Sequence, residues 1–84
     1  MNYTVVWKPE AEDELAEFWM TATDRQSIGE AAHRIERSLG DHPLTLGESR
    51  NATIRIAFDG PLGVFYEVSD DDRLVTVLKV MLAR

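Results

Sequence analysis

Three charged side chains in the second half of the chain are of the types that handle a phosphate group: Arg55, Glu67 and Lys79. A guanidinium and an ammonium bind and neutralise phosphate oxygens, and a carboxylate beside them serves as a general base. All three lie in stretches of alternating β-branched and aromatic residues, so their chemistry depends on whether a pleated sheet turns them to one face. A plainer reading has equal standing. Arg55 and Glu67 also suit a cross-strand ion pair contributing roughly a few tenths of a kcal/mol. The remaining polar residues make weaker sites. His33 falls on the solvent side of a helical segment and His42 in a loop, and neither has cysteines or carboxylates at ligand spacing, so no metal is expected. Asp70-Asp71-Asp72 lacks the ligand spacing of an EF-hand loop. Trp7, Trp19 and Tyr66 read as packing residues.

The elements that must position these groups are legible from periodicity. Tyr3-Thr4-Val5-Val6-Trp7 alternates as a first strand, with Tyr3, Val5 and Trp7 on one side. Pro9 ends it and opens a helix, with Glu10, Glu12 and Asp13 complementing the positive helix end. Ala11, Leu15, Phe18, Trp19 and Ala22 form its apolar stripe. Thr23-Asp24-Arg25-Gln26 reads as a capping box, with Thr23 the N-cap of a second helix. That helix turns Ile28, Ala32, Ile35 and Leu39 inward, pairs Glu30 with Arg34 and His33 with Arg37 outside, and closes at Gly40 before Pro43. Gly29 within it reads as a site of close helix approach, since glycine otherwise costs about 1 kcal/mol there. A loop through Leu44, Leu46, Gly47, Glu48, Ser49 and Arg50 then leads to three strands, Ala52 to Phe58, Leu62 to Val68 and Leu74 to Leu82.

Parity assigns the faces. With a three-residue loop around Gly60-Pro61, Ile54, Ile56 and Phe58 face the helices together with Val64, Tyr66 and Val68. The next hairpin, turning on Asp70-Asp71-Asp72, sets Ser69 opposite Arg73, Glu67 opposite Val75, Phe65 opposite Val77 and Gly63 opposite Lys79. Arg55, Ala57, Phe65, Glu67, Arg73, Val75, Val77, Lys79 and Met81 then share an outer face too apolar for a wholly solvated sheet.

Length and charge bound the rest. A chain of 84 residues is read as one α+β domain, 1–84, of order β-α-α-β-β-β, with a two-helix hairpin on one face of a small, mainly antiparallel sheet. Without cysteine it has neither disulfides nor thiolate metal sites. With no signal-like start or membrane-length apolar run, the expectation is a cytoplasmic protein without membrane contact. The net charge of −6 is concentrated early: Lys8 stands against Glu10, Glu12, Asp13, Glu14, Glu17 and Asp24, while residues 25–42 balance. Such a body repels nucleic acid unless a local basic patch intervenes.

In the order of its features, the chain resembles the RelE/ParE superfamily of toxins from type II toxin-antitoxin modules. The resemblance rests on a first strand ending in Trp7, Ala11 and Leu15 on the first helix, and a helical hairpin. It continues through Pro43, Gly47 and Arg50 before the sheet, Arg55, the Gly60–Val68 segment around Tyr66, and Val75, Val77, Leu78 and Val80. It implies that the exposed sheet face is the working surface, covered by an extended or helical segment of a cognate antitoxin. RelE-like members cleave messenger RNA on the ribosome without metal; ParE-like members inhibit DNA gyrase.

Carried over residue by residue, the resemblance makes Arg55, Lys79, Glu67 and Arg84 the candidate catalytic set, and Arg50, Phe65, Val75, Val77 and Met81 the partner-binding set. Thr53 stands where RelE-like nucleases often have a lysine, Gly63 replaces an arginine, and Arg84 lies about one position beyond the usual arginine. Lys79, expected across from Gly63, would reach into the space of the missing arginine. The thinned cation set favours a ParE-like protein-binding toxin. A RelE-like endoribonuclease and an inactive homologue are the alternatives. No cofactor is implied, and an apolar outer face also suits a homodimer.

Overall fold

The computed structural model describes residues 2–51 and 53–83. Ala52, where the second strand was expected to begin, and the candidate Arg84 lie outside the described residues. Strand β1 (Thr4–Trp7) passes through Lys8 into α1 (Pro9–Thr21), with Pro9 in the first turn and Glu10 and Glu12 at its positive end. Helix α2 (Arg25–Asp41) is capped by Asp24, whose Oδ1 accepts the Ser27 N–H at 3.1 Å. The cap is therefore one residue beyond Thr23, because the aspartate side chain reaches the third amide from there. Nor does Gly40 end the helix. It is buried in the last turn, and its carbonyl accepts the N–H groups of Asn2 and Tyr3 at 2.8 and 2.9 Å, tying down the chain just before β1.

Two further expectations for α2 are corrected. A Cβ placed on Gly29 would meet nothing within 4 Å, so this glycine serves no close approach. Arg34 turns to the sheet, giving Asp59 a two-pronged grip at 2.8–3.1 Å, while Glu30 accepts from Gln26 at 3.0 Å. The segment read as a loop contains a short helix, α3 (Pro43–Leu46), and a short strand, β2 (Glu48–Ser49). The meander follows as β3 (Ile54–Asp59), β4 (Leu62–Ser69) and β5 (Leu74–Leu82).

The sheet order is β1-β5-β4-β3-β2, with β1 parallel to β5 and the other neighbours antiparallel. The chain is α+β, with α1 and α2 packed on one face of this sheet. Ala11 from α1 and Ile28, Ala31, Ile35 and Leu39 from α2 meet Leu62, Val64, Tyr66, Val75, Val77 and Val80 in a single buried cluster. Ala31 is an inward residue that the stripe reading passed over. Trp19, expected inward, is 44% exposed.

The register overturns half of the face assignment. β3 and β4 are joined by a two-residue loop, Gly60-Pro61, because Asp59 pairs with Leu62. Gly60 has φ +56°, as the first central residue of a type II′ turn requires, and proline fits the second. Removing one residue from the expected loop inverts the parity of β3. Arg55 now pairs with Tyr66 and Ala57 with Val64, on the helix side; Ile54, Ile56 and Phe58 point outward. The β4–β5 turn is longer than expected, with Ser69 opposite Leu74 and Arg73 inside the turn at φ +51°. Val75 and Val77 are consequently fully buried opposite Val68 and Tyr66, and they are withdrawn from the outer face. A bulge between Phe65 and Tyr66 then restores the expected parity further along, so Lys79 pairs with Phe65 and Met81 with Gly63.

Candidate functional site

The face turned away from the helices carries Ile54, Ile56 and Phe58 from β3, Gly63, Phe65 and Glu67 from β4, and Met81 from β5. On the middle strand of this face, beside the Gly60-Pro61 turn, lies Gly63. A Cβ there would lie 2.7 Å from Cε1 of Phe58 and 3.1 Å from Cγ of Met81, so the missing side chain lets an aromatic ring and a thioether close over the strand. Phe58 is 57% exposed, and Phe65 and Met81 are half-buried, leaving a contiguous apolar surface. The space expected to receive Lys79 is thus occupied by Phe58 and Met81. Of the sequence-based partner set, Phe65 and Met81 lie on this face. The residues that sequence reading missed are Ile54, Ile56 and Phe58. The signal that could have found them is the Gly-Pro pair at the turn, with glycine in its first central position.

Arg50 stands at the rim. A cavity of about 310 Å³ opens beside the edge of β3, lined by Leu46, Gly47, Glu48, Arg50, Ile56 and Phe58 among others, and so runs on from the outer face. β2 pairs only with Ile56 and Arg55, which leaves the Phe58 end of the β3 edge uncovered by it. Gly47 makes this crossing possible, since a Cβ there would overlap the Ile56 carbonyl oxygen.

Among the described residues, the candidate catalytic side chains of Arg55, Glu67 and Lys79 are not brought together. Arg55 sits on the helix side of the sheet, where its Nη2 donates to the Gly47 carbonyl at 2.6 Å and its buried Nε has no partner among the described residues. Glu67 lies on the opposite face and accepts from Thr53 Oγ1 at 3.2 Å. The two therefore form no cross-strand ion pair; Arg55 faces Tyr66 instead. Lys79 is drawn to α1, where its Nζ binds Glu14 Oε2 at 2.8 Å. The other Glu14 oxygen accepts the Val80 N–H at 2.8 Å. Desolvation pushes the Glu14 carboxyl upward, but the hydrogen bonds from Lys79 and Val80 outweigh it and hold the group below the ordinary carboxylate value.

Arg73, expected on the outer face, is locked in a clasp at the β4–β5 turn. Its guanidinium stacks 4.2 Å from the Tyr3 ring centre and donates to Tyr3 Oη and Asp70 Oδ1, each at 3.1 Å. The Tyr3 hydroxyl donates to the same Asp70 carboxylate at 2.5 Å. That bond and desolvation raise the phenol above its usual value, against the opposing charge of Arg73. Among the described residues no group of three or more histidine, aspartate or glutamate side chains is arranged to hold a metal ion. No helix among them is long and apolar enough to cross a membrane. The outer face is thus largely apolar, while Arg55 is held by a carbonyl and Lys79 and Arg73 by carboxylates.

No protein-family model matches the chain, and neither does any curated protein. Solved structures do. A chain of the RelBE2 toxin-antitoxin complex from Mycobacterium tuberculosis matches with a TM-score of 0.81 at 21% identity, over 99% of this chain and 93% of that one. A chain of the chromosomal ParDE toxin-antitoxin system from P. aeruginosa matches with a TM-score of 0.65 at 12% identity, over 99% and 98%. The isolated E. coli RelE toxin matches with a TM-score of 0.64 at 17% identity, over 98% and 85%. The β-α-α-β meander with its helical hairpin on one side of the sheet is therefore the fold of the RelE/ParE toxins.

Proposed function

We propose that this chain is the toxin component of a type II toxin-antitoxin module, neutralised by an antitoxin laid across the outer sheet face. It acts by gripping a protein target, in the manner of ParE-like toxins on DNA gyrase, and not by cutting RNA. The observation that carries the reading is the closure of Phe58 and Met81 over Gly63. It makes the turn end of the outer face, where Gly63 stands in place of a nuclease's arginine, an apolar contact surface without a cation. The dispersal of Arg55, Glu67 and Lys79 supports it, because phosphoryl transfer requires its charged groups within hydrogen-bond reach of one phosphate. Likeness in fold to chains of toxin-antitoxin complexes supports the partner class.

Induced expression in a bacterial host, with and without the adjacent gene, tests it. Growth arrest with a DNA-damage response, relieved by the adjacent gene product, is the expected result. Arrest with ribosome-phased messenger cuts would replace this reading with an endoribonuclease, and absence of arrest would make the chain an inactive homologue.

A further inference from the structure

A second cavity, of about 510 Å³, lies between α1 and α2, on the helical side of the molecule and away from the sheet face described above. Its walls are Leu15, Ala16 and Ala32 with the indoles of Trp7 and Trp19, and it carries the carboxylates of Glu12 and Glu36 together with His33. The volume is that of a small-molecule site, and the lining is mostly apolar with a few polar groups, as such sites are.

The electrostatics select the occupant. Glu36 accepts only the Trp7 indole N–H, at 2.7 Å, and the Glu12 carboxylate has no partner among the described residues. Two negative charges therefore stand at an aromatic cavity with no lysine or arginine among its lining residues. Indole faces attract cations through the ring quadrupole. Trp19 already does so within the protein, which also sets one guanidinium, that of Arg25, beside the cavity at 4.8 Å from the ring centre. The cavity also sits on the most acidic part of the chain, around α1.

We propose that this cleft binds a small organic cation with an apolar body, an arylalkyl-ammonium or aryl-guanidinium compound. Its charge meets Glu12 and Glu36, and its body lies against the indoles. The assignment is independent of the toxin reading, because it uses none of the sheet-face residues.

The chain's two tryptophans, Trp7 and Trp19, both line the cleft, so intrinsic fluorescence reports on it directly. The test is a titration with phenethylamine and phenylguanidine, alongside the neutral isostere phenethyl alcohol, at constant ionic strength. The expected result is saturable change with the cations, at least about fivefold weaker binding of the alcohol, and a similar loss in a Glu12→Gln/Glu36→Gln variant. The amide oxygen introduced by Glu36→Gln can still accept the Trp7 N–H, and circular dichroism checks that the variant is folded. Equal binding of the neutral isostere, undiminished binding to the double variant, or no saturable change with either cation would overturn the proposal. So would occupation of the cleft by the adjacent gene's product with no affinity for either cation.

Discussion

Tyr66 and Arg55 stand directly across from each other on β4 and β3, and each holds one end of the same short segment. The Tyr66 hydroxyl donates to the Pro43 carbonyl at 2.7 Å, and Arg55 donates to the Gly47 carbonyl at 2.6 Å. One cross-strand pair thus clamps α3 and the approach to β2, which form the wall of the cavity at the β3 edge. Arg55 is a positioning residue in this structure. Its charge is directed at a carbonyl on the helix side of the sheet and away from the outer face.

Removing the hydroxyl should loosen that clamp. Tyr66 is fully buried, so Tyr66→Phe leaves the Pro43 carbonyl without this donor, and we expect a loss of about 1–3 kcal/mol. For a chain of this size that corresponds to a fall in Tm of about 4–8 °C per kcal/mol. Denaturant unfolding with an unchanged m-value is the check.

Two glycines should respond in opposite directions to the same substitution. Gly47→Ala drives a Cβ against the Ile56 carbonyl and the Tyr66 hydroxyl, and should destabilise through backbone displacement. Gly29→Ala meets open space in a helix interior and should stabilise by about 0.5–1 kcal/mol. Paired thermal melts decide it.

Most of the architecture was legible because helical and strand periodicities are strong signals over ten or more residues. The stripe on α2 identified Ile28, Ile35 and Leu39 as core, and they are buried. Faces of β3 were read backwards because parity depends on a single residue in a turn. Gly60-Pro61 makes a two-residue loop where three were counted, and Ile56 and Arg55 exchanged sides. Val75 and Val77 moved for the same reason at the next turn, where Arg73 adopts φ +51° and lengthens the connection. Met81 kept its expected side only because the bulge beside Phe65 compensates, and no local sequence pattern announces that bulge. The dispersal of Arg55, Glu67 and Lys79 was illegible, since it depends on tertiary partners such as Glu14 and Gly47.

Truncations on the two faces should differ sharply. Val77→Ala removes volume from a fully buried site under the helices and should cost about 1.5–3 kcal/mol. Phe65→Ala, on the half-buried outer face, should cost less despite deleting more atoms. Equilibrium unfolding of the two variants side by side measures the assignment of faces.

Glu14 should make stability depend on acid. β1 covers the β5 edge only from Leu74 to Val77, and Glu14 takes over by accepting from Val80 and Lys79. Its folded-state pKa lies below the unfolded value, so its stabilisation is full above the ordinary glutamate value of about 4.3 and is lost as pH falls through the folded value. The stability gap between the native chain and Glu14→Gln should therefore narrow below about pH 4. Glu14→Ala, which strips the cover from the Val80 amide, should raise the average mass in solution relative to Glu14→Gln, because an uncovered strand edge invites pairing. Light scattering at matched concentrations reads that difference.

The outer sheet face is tested most directly by measuring, with calorimetry, the affinity of the adjacent gene's product for the native chain, Phe65→Glu and the helix-side control Trp19→Glu. Binding by the native chain and the control, with at least about a hundredfold loss in a folded Phe65→Glu variant, is the result expected when a desolvated aromatic anchor is replaced by a charge. Native affinity in Phe65→Glu would contradict the account and move the partner to another surface.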